Sequence, residues 1–271
     1  MCKRPHAPPA MSIWREKVVV VTGAGSGIGR ALALLLGQRG ARLVLVGRRQ
    51  EILTEVAADI EAAGGWAALS LASDVGDWGQ VVSLRDQVLE NYGSIDVLVN
   101  NAGSGAYGLF ATADVATYDQ MLQTNLHGVI YCARAFLPSM LARGQGRVVF
   151  VSSIVGELPS PVHAVYSASK FAISGLAESL DYELAPQGIA VHLVEPGLVR
   201  TEFAARAGIP SKRFEQMPSK LPNEVALAIV RGIEADQRKI VPDAKAHLAI
   251  KLRRHFPRLA RVIFKRVFRE F

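Results

Sequence analysis

The chain has 271 residues, which at roughly 150 residues per domain sets a prior of one to two domains, and one α/β unit is expected. Half of the residues are apolar and 20% are charged, enough apolar side chain for a sizeable core, which excludes disordered, collagen-like and disulfide-scaffold chains. The net charge of +7 is local: from residue 238 onward eleven Lys and Arg face Asp243 and Glu270, which leaves 20 basic and 22 acidic residues elsewhere. The body is near neutral and the tail is basic.

No stretch supplies the ~18 consecutive apolar residues of a spanning helix, so a transmembrane protein is not expected. At the N-terminus Lys3 and Arg4 are followed by His6, Pro8 and Pro9 where a secretory signal places its apolar segment. Residues 1–16 therefore read as a flexible extension, with Met11 a second candidate start. Cys2 and Cys132 are the two cysteines, so no disulfide framework is expected, and a reducing, cytoplasmic compartment is the default.

In chain order, short β-branched runs at 17–22, 42–47, 66–71, 95–100, 147–152, 189–195 and 238–241 read as strands. Between them 28–39, 50–63, 78–91, 115–141, 166–185 and 223–235 carry apolar residues at helical spacing, with Gly40, Gly64, Gly93 and Gly188 as stop signals. Strands alternating with helices predict a Rossmann-like, doubly wound parallel seven-stranded sheet with helices on both faces. The domain is expected over 17–242, with a substrate flap at about 200–222 and a basic amphipathic tail at 243–271.

The first predicted strand runs directly into Thr22-Gly23-Ala24-Gly25-Ser26-Gly27-Ile28-Gly29 and then a helix. Glycines at 23, 27 and 29 permit a tight turn and close approach of backbone to a pyrophosphate, which the helix N-terminus attracts through its free N–H groups. The strand-to-helix setting is what makes this pattern specific for a dinucleotide. The second predicted strand ends on Gly47-Arg48-Arg49, with no acid there to receive a ribose 2′-hydroxyl. Guanidinium groups suit a 2′-phosphate, so NADP(H) is expected over NAD(H).

Tyr166 and Lys170 are four residues apart on a predicted helix and project from one face. Taken alone such a pair is ordinary helix surface. Ser152 and Ser153, which end a strand shortly before, change that reading: a hydroxyl there can donate to a carbonyl, while an ammonium near the phenol lowers its pKa for proton transfer.

With these motifs in one order, the chain resembles the short-chain dehydrogenase/reductase family, in its core type of about 250 residues. The resemblance rests on the glycine turn, Asp74-Val75, Asn100-Asn101-Ala102-Gly103, Asn125, Ser153, Tyr166-Ser-Ala-Ser-Lys170 and Pro196-Gly197. It implies a catalytic role for Tyr166 as acid/base and for Ser153, rather than Ser152, in orienting the carbonyl. Lys170 would bind the nicotinamide ribose and tune the phenol, and Asn125 would hold a relay water. Further cofactor contacts are implied for Gly23, Ser26, Gly27, Ile28 and Gly29 at the phosphates, Arg48 and Arg49 at the ribose, and Asp74 with Val75 at the adenine. Asn101, Ala102 and Gly103 would flank the adenosine ribose, and Pro196, Gly197, Val199 and Thr201 would lie toward the carboxamide and pyrophosphate. Ser26 stands where some NADP-using relatives carry a basic residue, so cofactor preference falls to Arg48 and Arg49. His163 is expected as loop or pocket wall, and no metal site is expected.

The resemblance further implies a homodimer or homotetramer through the helices at 115–141 and 166–185. Past Pro242 it fades. A helix over 258–271 would place Leu259, Ala260, Ile263, Phe264, Val267, Phe268 and Phe271 on one half and Arg258, Arg261, Lys265, Arg266 and Arg269 on the other, with Val262 misplaced. Such a helix suits an anionic membrane surface; docking on the protein's own body or a second subunit is the alternative, and nucleic acid is not expected. The expected function is an NADP(H)-dependent carbonyl reductase or alcohol dehydrogenase acting on a hydrophobic substrate such as a 3-oxo lipid, steroid or retinoid. Its rivals are a non-catalytic dinucleotide-binding sensor or scaffold and an NAD-dependent alcohol dehydrogenase.

Overall fold

The computed structural model describes residues 12–210 and 218–267, with side chains through residue 264. Strand β1 (Val18–Thr22) is four valines and a threonine, all buried, a composition suited to a central parallel strand covered on both faces. With β2 (Arg42–Gly47), β3 (Leu69–Ala72), β4 (Val97–Asn100), β5 (Gly146–Val151), β6 (Ile189–Val194) and β7 (Lys239–Ile240) it forms one sheet in the order β3-β2-β1-β4-β5-β6-β7. All neighbouring strands are parallel; Val20 of β1 faces Val44 on one side and Leu98 on the other.

Helices α1 (Gly27–Gln38), α2 (Gln50–Ala62) and α8 (Pro222–Glu234) cover one face of the sheet through Leu32, Leu36, Leu53, Ile60, Val225 and Ile229. On the other, α3 (Trp78–Tyr92), α5 (Gly128–Arg143) and α6 (Ala164–Leu184) bury Leu84, Val88, Phe136, Met140 and Ile173. This is the doubly wound sheet expected, and Gly40, Gly64, Gly93 and Gly188 all take positive φ at element ends. Strand order reverses between β1 and β4, so the segments after their C-terminal ends diverge and leave a crevice.

Four sequence expectations are corrected. Trp14, assigned to the flexible extension, is buried and its Nε1 donates to Glu234 at 2.9 Å, because the indole completes the layer formed by α1 and α8; residues 1–11 lie outside the described residues. Strand β3 begins at Leu69 and not at Trp66, whose exposed ring takes the Arg42 guanidinium at 5.3 Å instead of pairing in the sheet. The single helix expected over 115–141 is two, α4 (Val115–Leu122) and α5, joined by a π-helical turn (Gln123–His127). The wider turn places Asn125 in the interior, where two 2.8 Å hydrogen bonds with the Ser104 main chain satisfy its amide.

The tail is the fourth. Helix α9 (Ala244–His255), which sequence periodicity did not reveal, starts at Asp243, whose carboxylate caps the Lys245 and Ala246 N–H groups. It leads into α10 (Pro257–Val267); residues 268–271 of the expected helix lie outside the described residues. The apolar half of α10 is divided. Ala260 is buried and Phe264 turns into the cleft, whereas Leu259, Ile263 and the supposedly misplaced Val262 form an exposed stripe. In the flap, α7 (Glu202–Arg206) and a bridge between Val199 and Lys220 are described, and 211–217 lie outside the described residues.

Candidate active site

The crevice opens into a cleft of about 990 Å³ that runs from the start of α1, past the C-terminal ends of β4, β5 and β6, to the flap and α10. At its α1 end the backbone of Gly23 lies at φ 68° and that of Gly27 at φ 54°, conformations that a side chain strains. A Cβ on Gly29 would lie 2.2 Å from the Gly23 carbonyl oxygen, so the turn closes only because that position is glycine. Ser26 begins α1 without a side-chain cap, and Ser26, Gly27 and Ile28 line the cleft. The first N–H groups of α1 are thus left for an external acceptor, which fits a pyrophosphate.

Asn101 donates its Nδ2 to the Thr22 carbonyl at 2.9 Å, and the Ala102 N–H donates to Thr22 Oγ1 at 3.0 Å, so the two strand ends are tied beneath the glycine turn. Arg48 is exposed and reaches the cleft. Arg49 is the N-cap residue of α2 and does not line it. Asp74 accepts the Gly76 N–H at 2.9 Å and, with buried Val75, also lies outside the cleft lining. Gly23, Gly29, Ala102 and Asn125 are not among the residues that line the cleft. Asn101, Gly103, Pro196, Gly197, Val199 and Thr201 line it with Ser153, Tyr166 and Lys170.

The residues just after β5 and the start of α6 bring the reactive groups together. Ser152 Oγ donates to the Lys170 carbonyl at 2.9 Å and contacts Ser174 Oγ, so its hydroxyl is engaged in the core. Ser153 Oγ accepts the Val155 N–H at 3.3 Å and stands beside the Tyr166 phenol, near enough for hydrogen bonding to act on its acidity. Lys170 is buried, its Nζ donating to the Val151 carbonyl at 3.0 Å and lying 5.7 Å from the Tyr166 ring centre. The absent Cβ of Gly103 would stand 3.3 Å from Asn125 Oδ1 and 3.7 Å from Lys170 Nζ, so these two groups border one small space.

Burial pushes the Tyr166 phenol up to about 12, against the Ser153 hydrogen bond, which acts to lower it. Burial also brings the Lys170 amine down to about 8. The sequence led us to expect a phenol lowered by its ammonium neighbour. In the fold desolvation dominates both groups, because each charged form loses water where its side chain packs into the cleft wall.

His163 lines the cleft as expected, its Nδ1 3.1 Å from the Pro161 carbonyl and its ring 6.4 Å from that of Tyr166. Sequence reasoning missed Phe203, whose ring lies 5.6 Å from Tyr166, and Tyr107, whose ring lies 5.4 Å from His163. It also missed Phe264, Leu158 and Pro159 in the lining. Thr201 caps α7 by accepting the Phe203 N–H at 3.2 Å, a helix start that a threonine before Glu202 could have signalled.

Fold and site together define an α/β oxidoreductase. The sequence profile described as short chain dehydrogenase matches residues 17–210, and the chain belongs to that family. An oxidoreductase of Staphylococcus epidermidis is 36% identical over 187 residues, covering 69% of this chain and 80% of the relative. A short-chain dehydrogenase/reductase from Burkholderia phymatum, solved in complex with NAD, superposes with a TM-score of 0.84 at 28% identity over 91% of this chain and 95% of that one. A short-chain dehydrogenase from Sphingobium yanoikuyae, solved in complex with NADPH, gives 0.79 at 30% identity over 84% and 88%.

Proposed function

We propose that the protein is an NADP(H)-dependent oxidoreductase that interconverts a carbonyl group and a secondary alcohol on a hydrophobic substrate. The observation that carries this reading is the buried Lys170 beside Tyr166 and Ser153, in the same cleft as the uncapped start of α1. The α1 N-terminus, Arg48, Asn101 and Thr201 would hold a nicotinamide dinucleotide, which would supply the hydride chemistry. Ser153 orients the substrate oxygen by donating its hydroxyl. Tyr166 gives the proton to that oxygen in reduction and takes it in oxidation. Lys170 holds the nicotinamide ribose and places positive charge near the phenol, and Asn125 fixes a water beside the amine. Asp74, Val75 and Arg49 would act at the adenine and ribose end.

The test is NADPH consumption with a panel of aldehydes and ketones, wild type against Tyr166→Phe. NADPH binding without tyrosine-dependent turnover on any of them would instead support a sensor or scaffold. The NAD-dependent reading has the Burkholderia complex behind it, and Arg48 decides between the two. A charge-assisted guanidinium–phosphate pair contributes about 1.5–3 kcal/mol. Arg48→Glu, which also adds repulsion, is expected to raise the NADPH KM by about a hundredfold and the NADH KM by less than about threefold. Equal losses with both cofactors would remove the ribose-phosphate assignment.

We further infer a cytoplasmic, reducing setting, a homodimer or homotetramer through α5 and α6, where Ile130 and Tyr182 are exposed, and reversible association with an anionic membrane surface. Among the described residues no helix is long and apolar enough to cross a membrane. The support for surface association is the exposed apolar set Leu248, Phe256, Leu259, Val262 and Ile263 beside exposed Lys251, Arg258 and Arg261. The protein is expected to co-sediment with phosphatidylserine-containing vesicles and not with pure phosphatidylcholine. Unchanged co-sedimentation after deletion of 258–271 would end that assignment.

A further inference from the structure

We propose that the C-terminal helix pair α9–α10 is a wall of the substrate site, and that Phe264 on it selects substrates carrying an extended apolar portion. The proposal rests on the carbonyl/alcohol reading and names a determinant of its specificity. Phe264 lies outside the region that matches the family profile, which ends at residue 210, yet it lines the same cleft as Tyr166 and Ser153. Its placement follows from the seating of α10. Ala260 is 1% exposed and Phe264 follows it by four residues, so both project from the side of α10 that meets the body. Leu259 and Val262, on another side, are each 52% exposed.

The pair is tied to the opposite wall by charge. Arg254 of α9 donates to Glu157 Oε1 at 2.6 Å, and Glu157 also binds Lys239, which pairs with buried Glu195 at 2.9 Å. Burial acts to raise the Glu157 carboxyl, but the hydrogen bonds and charges of Lys239 and Arg254 outweigh it and hold it below the ordinary carboxylate range. The Glu157 side chain is 13% exposed and that of Arg254 54%, so the pair sits at the protein surface with its carboxylate partner held inward. Glu157 immediately precedes Leu158 and Pro159, which line the cleft. Arg253 adds a second tie, its guanidinium lying 5.4 Å from the Phe171 ring on α6. The cleft lining beside Tyr166 includes Leu158, Pro159, Phe203, Ile209, Pro210 and Phe264, apolar groups that suit an alkyl or fused-ring extension more than a charged one.

The test uses the full chain and straight-chain methyl ketones. For wild type, kcat/KM is expected to rise from 2-butanone to 2-dodecanone. In Phe264→Ala the ratio of the two values falls about tenfold, chiefly through the KM of the long ketone, and Phe264→Leu retains most of it. Arg254→Ala, which loosens the tie without touching the lining, lowers the same ratio by about threefold. An equilibrium readout accompanies these: calorimetric affinity for 2-dodecanone, weaker in Phe264→Ala by a comparable factor. Turnover of ketones with a length ratio within twofold of wild type in Phe264→Ala overturns the proposal and leaves the carbonyl/alcohol reading intact. Absence of turnover on every ketone, with the affinity difference preserved, overturns that reading and leaves the apolar wall standing. If the variants bind 2-dodecanone as wild type does, or if no form binds it, Phe264 is not a substrate contact.

Discussion

Tyr166→Phe is expected to lower kcat by about 10²–10⁴-fold, the range over which a positioned acid/base acts, while NADPH affinity changes by no more than a few-fold. The substitution removes one oxygen from a half-buried ring and leaves the packing against Phe203 in place. The phenol is pushed up to about 12 by burial, so at neutral pH it carries its proton and is poised as a donor to the substrate oxygen. Reduction therefore loses no donor until strongly alkaline pH, whereas oxidation, which needs the phenolate, is expected to accelerate as pH rises toward that value. Initial rates in both directions across pH 6 to 10 check this. A Tyr166→Phe enzyme that reduces ketones at the wild-type rate would mean that another group delivers the proton.

Lys170→Met is expected to abolish most turnover, by at least about a hundredfold, and at the same time to stabilise the cofactor-free protein. The sign follows from the amine, which burial depresses to about 8 from an ordinary 10.5. Between those pH values the unfolded chain binds a proton that the folded chain does not, so stability rises with pH across the interval. Below pH 8 the full cost is present, about 3 kcal/mol for a shift of this size. Methionine fills similar volume without a charge; the lost hydrogen bond to the Val151 carbonyl offsets part of the gain. A net increase of about 1–2 kcal/mol is expected at pH 7, seen as a Tm higher by roughly 2–8 °C. The advantage should shrink toward zero above about pH 10. A lower Tm at pH 7 would show that the amine is not held against a desolvation cost in the folded state.

These two variants separate function from folding at one pocket. A residue kept for packing would lose stability when altered. Lys170 is a buried cation with one carbonyl partner at hydrogen-bond distance, an arrangement that costs stability and makes chemical sense only if something else is bound or moved there.

The order of elements was legible because its causes are local. Val18–Thr22 has no polar face to show to water, and the helices at 28–39 and 223–235 carry their apolar residues on one side. Asn125 shows where such reasoning stops: helical periodicity passes straight through Gln123–His127, but a π turn forms there because Ser104, far away in sequence, offers the amide both a donor and an acceptor. The residues of the reactive cluster could be named from the sequence; their protonation could not. Spacing alone puts an amine beside a phenol and suggests that charge controls both, yet water exclusion by the surrounding core is the larger effect.

The sequence by itself determined the parallel sheet, the glycine turn and the Tyr166–Lys170 pair, since strand composition, backbone freedom and i,i+4 geometry are properties of neighbouring residues. The tertiary structure alone decided which side of α10 meets the body, that Arg49 and Asp74 stand outside the cleft lining, and that Phe203 and Phe264 belong to it. Those outcomes depend on what a side chain meets across the fold. An apolar half as broad as that of α10 does not say which of its residues will be covered until another surface is there to dehydrate them.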